Sequence, residues 1–158
     1  MFEKEELELI VPHKGKMLLL TRINEYNLEE RTLCAEYHIT EDCLFYDPVI
    51  GGVPAWAGFE FMAQAIAALS GIYSRQKKEK AKIGFILSIS SMRTELPSFK
   101  AGTTAEIRVR ESSSLEQISN FEGKIFLEGS KVMEGNLMVM EAKEKQIRSM
   151  IKERIQHS

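Results

Sequence analysis

From Pro54 to Tyr73 the only clearly polar side chains are Glu60, Gln64 and Ser70, and the run is entered through Gly51-Gly52-Val53. Every other position is small or apolar, around the whole circumference of any helix the segment forms. A helix apolar on all sides is buried, either in a protein core or in a membrane. Its 20 residues span roughly 30 Å, enough for a bilayer. An ionisable Glu60 near its centre is costly in lipid, so the segment reads as the core helix of a soluble, cytoplasmic protein. Glu60 and Gln64 stand four apart and share one face.

Composition sets the frame around that helix. The 158 residues, 44% hydrophobic and 28% charged, suit one globular domain. A net charge of −2 supplies no electrostatic case for nucleic acid or an anionic membrane. Cys34 and Cys43 lack metal-ligand spacing and read as reduced thiols. The acidic N-terminus is unlike a signal peptide.

Residues 4–10 read as a short acidic helix, and Val11-Pro12-His13-Lys14-Gly15-Lys16 as a turn. Residues 17–23 form an apolar run of strand length. After a polar hairpin connection over 24–30, residues 31–40 alternate Leu33, Ala35, Tyr37 and Ile39 against Cys34, Glu36 and His38, the period of a half-buried strand. Gly51-Gly52 permits unusual backbone angles, and Pro54 suits the first turn of a helix over 54–74. Four strand-like runs follow, at 83–91, 103–111, 117–128 and 131–141. Residues 141–158 return to helical spacing, with Ile147, Ile151 and Ile155 four apart. The order is two strands, one long buried helix and four strands, which predicts an α+β domain over 1–140 with an amphipathic helical tail over 141–158. One curved antiparallel sheet covers one flank of such a helix, and a second subunit covers another.

Three segments carry a resemblance. Val11-Pro12-His13-Lys14, Met17-Leu18-Leu19-Leu20 and Arg22 resemble the Pro-His-Arg, Leu-Leu, Asp-Arg opening of bacterial 3-hydroxyacyl-acyl-carrier-protein dehydratases. Glu60-Phe61-Met62-Ala63-Gln64 resembles their Glu-x-Met-Ala-Gln helix segment. Pro97 to Gly102 resembles their Pro-to-Gly turn. The Pro-Ala-Trp run at 54–56 is closer to a divergent subgroup linked to polyene-type fatty acid pathways. The resemblance implies a hotdog fold, a curved antiparallel sheet wrapped around one long central helix. It implies elimination of water from a 3-hydroxyacyl thioester on acyl carrier protein or CoA, giving a trans-2-enoyl thioester, with no cofactor and no metal. Those dehydratases carry a Gly-His-Phe-Pro-Gly segment whose histidine is the general base. Here the corresponding place is Phe45-Tyr46-Asp47-Pro48, without a histidine.

The candidate site follows from what the elimination needs, an acid for the departing β-hydroxyl and a base for the α-proton. Glu60 is the candidate acid. A carboxyl among Phe59, Phe61, Trp56 and alanines would be desolvated and held protonated near neutrality. His13 is the base candidate left in this chain, with Tyr46 and Asp47 behind it. By resemblance, Gly52 and Val53 would polarise the thioester carbonyl through backbone N–H groups. Trp56 would line core or acyl tunnel, and Gln64 would hold Glu60 or the backbone of a neighbouring loop. His38 reads as an exposed strand residue and His157 as part of the tail. Lys14, Lys16 and Arg93 are solvated charges or contacts for an acidic carrier. The chain is expected to form a homodimer, or a heterodimer with a second hotdog subunit that supplies the missing histidine. A thioesterase using Glu60 to activate water is the remaining alternative.

Overall fold

The computed structural model describes residues 1–156; His157 lies outside them. Among the described residues, nine strands and three α-helices follow in the order β1 (Phe2–Glu3), α1 (Lys4–Ile10), β2 (Arg22–Asn27), β3 (Thr32–His38), β4 (Gly52–Pro54), α2 (Gly58–Gln76), β5 (Ile83–Thr94), β6 (Ser98–Lys100), β7 (Thr104–Leu115), β8 (Ile118–Leu127), β9 (Ser130–Ala142) and α3 (Glu144–Gln156). Seven strands make one antiparallel sheet in the order β1-β2-β3-β7-β8-β9-β5, and β4 pairs with β6 in a small second sheet.

The sheet covers α2 because its inner positions repeat every second residue. Leu33, Ala35 and Tyr37 of β3, Ala105, Ile107 and Val109 of β7, Phe121 and Ile125 of β8, and Leu137 and Val139 of β9 are all buried. They meet the packed face of α2, where Phe61, Met62, Ala65 and Leu69 have no exposed surface. Phe61 anchors the contact, with its ring 5.0 Å from Tyr37 and 5.4 Å from Phe99. The apolar stretch that is long enough to cross a membrane is therefore mostly a core helix, 67% of its most apolar window being buried.

Three expectations about local structure change. Of residues 17–23, only Arg22 and Ile23 lie in a strand. Gly15–Met17 form a one-turn 3-10 helix, and Leu18 to Leu20 are buried without a strand partner. Their backbone is held by a helix side chain instead, and β2 begins only at Arg22. Pro54 does not open the helix. Its segment pairs with β6, Gly52 opposite Lys100 and Pro54 opposite Ser98. A 3-10 turn, Ala55–Ala57, then leads into α2. The polar connection after β2 is shorter than 24–30, because β2 runs on to Asn27, whose Oδ1 accepts the N–H groups of Glu29 and Glu30.

Two features bound the site. At the C-terminal half of α2, a Cβ on Gly71 would lie 2.4 Å from the backbone oxygen of Ile10, so only glycine lets α1 press this closely on α2. At the other side, β5 is the last strand of the sheet. It pairs with β9 alone among the described residues, and Phe85, Ile86, Leu87 and Ile89 are all exposed. No residue of α3 is buried.

Candidate active site

The side of α2 turned away from the sheet carries a stripe of half-buried residues, Glu60, Ala63, Ala67 and Ser70. Spacings of three and four place them on one face. A cavity of about 780 Å3 runs along this stripe. One wall is the segment from Ile10 to Lys14, and the other is β5 from Gly84 to Ile86. Small side chains on the helix keep the floor low, and mostly apolar walls suit an aliphatic ligand.

Two candidate chemical groups line this trough together. Glu60, in the first turn of α2, and His13, in the turn after α1, both border it. The Nδ1 of His13 is buried without a hydrogen-bond partner, a cost that a ligand or a second subunit can offset. The turn bearing His13 is tied back to α1, because Lys14 Nζ donates to the Glu8 backbone oxygen at 2.7 Å.

Gln64 explains how that wall is fixed. It is 3% exposed, its Oε1 accepts the Leu19 N–H at 2.6 Å and its Nε2 donates to the Met17 oxygen at 2.8 Å. The amide thus takes the place of a strand partner for residues 17–19. Of the two roles expected for Gln64, it makes the contact to a neighbouring backbone.

The other candidates lie elsewhere. The aromatic surround expected for Glu60 does not form, since Phe61 points into the core and Trp56 is exposed, packed edge-on against Phe45 at 5.1 Å. Gly52 and Val53 build β4 and do not border the trough. A Cβ on Gly52 would lie 2.2 Å from the Phe99 oxygen, so that glycine serves strand approach. Asp47 is engaged in its own turn, with Oδ1 accepting the Val49 N–H, and neither it nor Tyr46 borders the trough. His38 is exposed and its Nδ1 is 2.8 Å from Thr104 Oγ1. Lys14 borders the trough, whereas Arg93 sits 3.9 Å from Glu134.

Sequence reasoning missed Glu141, which stands at the far end of the trough with its Oε2 accepting the Ser70 hydroxyl at 2.9 Å. Ser70 was one of the three polar interruptions of the helix, and that was the available signal. Glu141 looked like the end of a strand.

Comparison with known proteins decides the family. The model of the ApeP-like family, described as ApeP dehydratase, matches residues 5–152. The chain belongs to the ApeP-like dehydratase family. This chain is also similar to FabZ dehydratases. The 3-hydroxyacyl-acyl-carrier-protein dehydratase FabZ of Chlamydia trachomatis is 29% identical over 150 residues, covering 90% of this chain and 94% of that protein. The bifunctional enzyme LpxC/FabZ of Chlorobaculum tepidum is 27% identical over 146 residues, and this chain spans 31% of its length. Among solved structures, the dehydratase heterocomplex ApeI:P of Xenorhabdus doucetiae matches with a TM-score of 0.82 at 24% identity, covering 92% of this chain and 96% of that one. A hypothetical thioesterase protein of Streptococcus pneumoniae, solved with coenzyme A, matches at a TM-score of 0.60 and 10% identity, covering 88% and 96%. These likenesses give the hotdog fold, α+β, as the resemblance implied.

Proposed function

We propose that this ApeP-like chain is one subunit of a cytoplasmic 3-hydroxyacyl-thioester dehydratase, completed by a second hotdog subunit. The observation that carries the reading is the trough in which Glu60 and His13 face the same apolar space beside an unpaired strand edge. A base removes the proton α to the thioester carbonyl. Glu60 gives a proton to the departing β-hydroxyl, so that water leaves and the trans-2-enoyl thioester remains. The loop 45–48, where the FabZ-type histidine would stand, has none, and a histidine from the partner is the base we assign. His13 then shapes and hydrogen-bonds the site. Exposed Phe85, Leu87 and Ile89 along β5 are the surface we assign to the partner, since unpaired strand edges invite pairing. The dehydratase heterocomplex of the X. doucetiae relative supports a pairing of unlike chains.

Three preparations test this: the purified chain, a candidate hotdog partner, and the two mixed, each assayed with 3-hydroxyacyl-carrier-protein substrate. Activity confined to the mixture is expected. Full turnover by the chain alone would sink the divided site and leave His13 as the base. In the active mixture, Glu60→Gln should lower kcat by about 10²- to 10⁴-fold, the usual worth of a general acid. Thioesterases share this fold, and release of free thiol from acyl-CoA would identify that activity.

A further inference from the structure

Away from Glu60 the trough ends among Ser70, Glu141 and the exposed Ala81 and Lys82. It reaches the Ser70–Glu141 hydrogen bond, 2.9 Å long and partly buried. Glu141 lies two residues beyond Val139 on the inner side of β9, and Val139 also borders the trough. On the other side of this pair is a second cavity of about 380 Å3. Its lining is polar. Arg31 and Glu111 form an ion pair at 2.8 Å within it, and the Arg31 guanidinium lies over the ring of Tyr73, 5.4 Å from its centroid. Ser70, Glu141 and Lys82 border both cavities. The hydrogen bond therefore stands at the junction between an apolar space and a polar one.

We propose that the Ser70–Glu141 pair is an acyl-length stop, setting how long a chain the trough accepts. The proposal rests on reading the trough as the acyl site. Glu60 and Ser70 are ten residues apart, which is about 15 Å along the helix axis, the reach of an extended chain of about ten to twelve carbons. A longer chain must part the pair and lay methylenes against a carboxylate that has lost its donor. Burying a polar group under apolar surface without a hydrogen bond is unfavourable. It must then enter a cavity lined by an ion pair, where apolar groups gain little. Shorter chains meet neither obstacle, and the alanines of the floor accept them without rearrangement.

The test measures binding and turnover of two 3-hydroxyacyl pantetheine thioesters, one of octanoyl and one of palmitoyl length. The full chain is used alone and mixed with its partner. The wild type should favour the shorter thioester by about ten-fold or more, the scale on which pockets discriminate apolar groups. Glu141→Ala should bring the ratio close to one, and Ser70→Ala, which removes the bond to be parted but keeps the carboxylate, should lower it part of the way. Ser70→Ala is the milder change and decides the matter if Glu141→Ala fails to fold. A wild type without length preference, or a preference that both folded variants retain undiminished, overturns the stop. If the preference appears in binding and drops in the variants while no preparation dehydrates either thioester, the stop stands and the dehydratase reading falls. If neither thioester binds, both are overturned.

Discussion

The two long faces of α2 differ in what covers them, although the sequence makes both apolar. Toward the sheet, Phe61, Met62, Ala65 and Leu69 are fully enclosed. Away from it, Glu60, Ala63, Ala67 and Ser70 stay half-open along the trough. The residues on the open face are smaller, and the only charged group on the helix before its last turn is there. Large side chains fill space that the chain itself encloses, and small ones leave space for something else. Hydropathy alone does not tell these apart; side-chain volume does.

Stability should separate the faces most sharply. Phe61→Ala removes a ring packed against Tyr37 and Phe99 and should cost about 3–5 kcal/mol in urea unfolding. A loss below about 1 kcal/mol would mean that this face is not the packed one. Gln64→Leu tests the border between the faces. It leaves the Leu19 N–H and the Met17 oxygen without partners and should cost about 2–4 kcal/mol, with faster amide exchange at Leu19. Gly71→Ala, forced against the Ile10 backbone, should lower stability by about 1–3 kcal/mol and loosen α1. Ala67→Leu on the open face is the converse. It should change stability by less than about 0.5 kcal/mol while blocking thioester binding. If it destabilises as Phe61→Ala does, the trough is ordinary core.

One expected effect, confined to alkaline pH, lies outside both faces. Cys34 is buried on the outer side of β3, 3.4 Å from Glu106. Burial first, and the hydrogen bond to Glu106 second, push its thiol up to about 11 from an ordinary value of 9.0. The folded protein then holds this proton more tightly than the unfolded chain does. Its contribution is present below pH 9 and is lost as pH rises through 11, on the order of 1–3 kcal/mol in all. Burial also raises the Tyr37 hydroxyl, so alkaline stability should fall from both. Cys34→Ala should flatten the decline between pH 9 and 11. It should leave thioester binding alone, since Cys34 does not border the trough.

Much of this was readable beforehand because periodicity reports burial. The alternation at Leu33, Ala35 and Tyr37 and the buried central helix are both direct consequences of which side faces the core. Local patterns gave no account of segments whose partners are distant in sequence. Leu18 to Leu20 look like a strand, yet they are held by a side chain 45 residues away. Pro54 looks like a helix start, yet it stands opposite Ser98 in a strand pair, with Val53 opposite Phe99. Glu60 and His13 were nameable from the family resemblance, and their common trough needed the fold. Glu141 was not nameable, because its meaning depends on Ser70, 71 residues earlier.

The open edge of β5 bears on how a cell must make this protein. The strand runs for 12 residues, and between Ile83 and Ser91 it contains no lysine, arginine or proline, the residues that usually blunt such an edge. In the proposed heterodimer, a surplus of this chain over its partner would be a surplus of sticky edge. Matched dosage of the two subunits, made at the same time, would protect solubility as well as activity. Producing the chain alone should give a poorer soluble yield than producing the pair together.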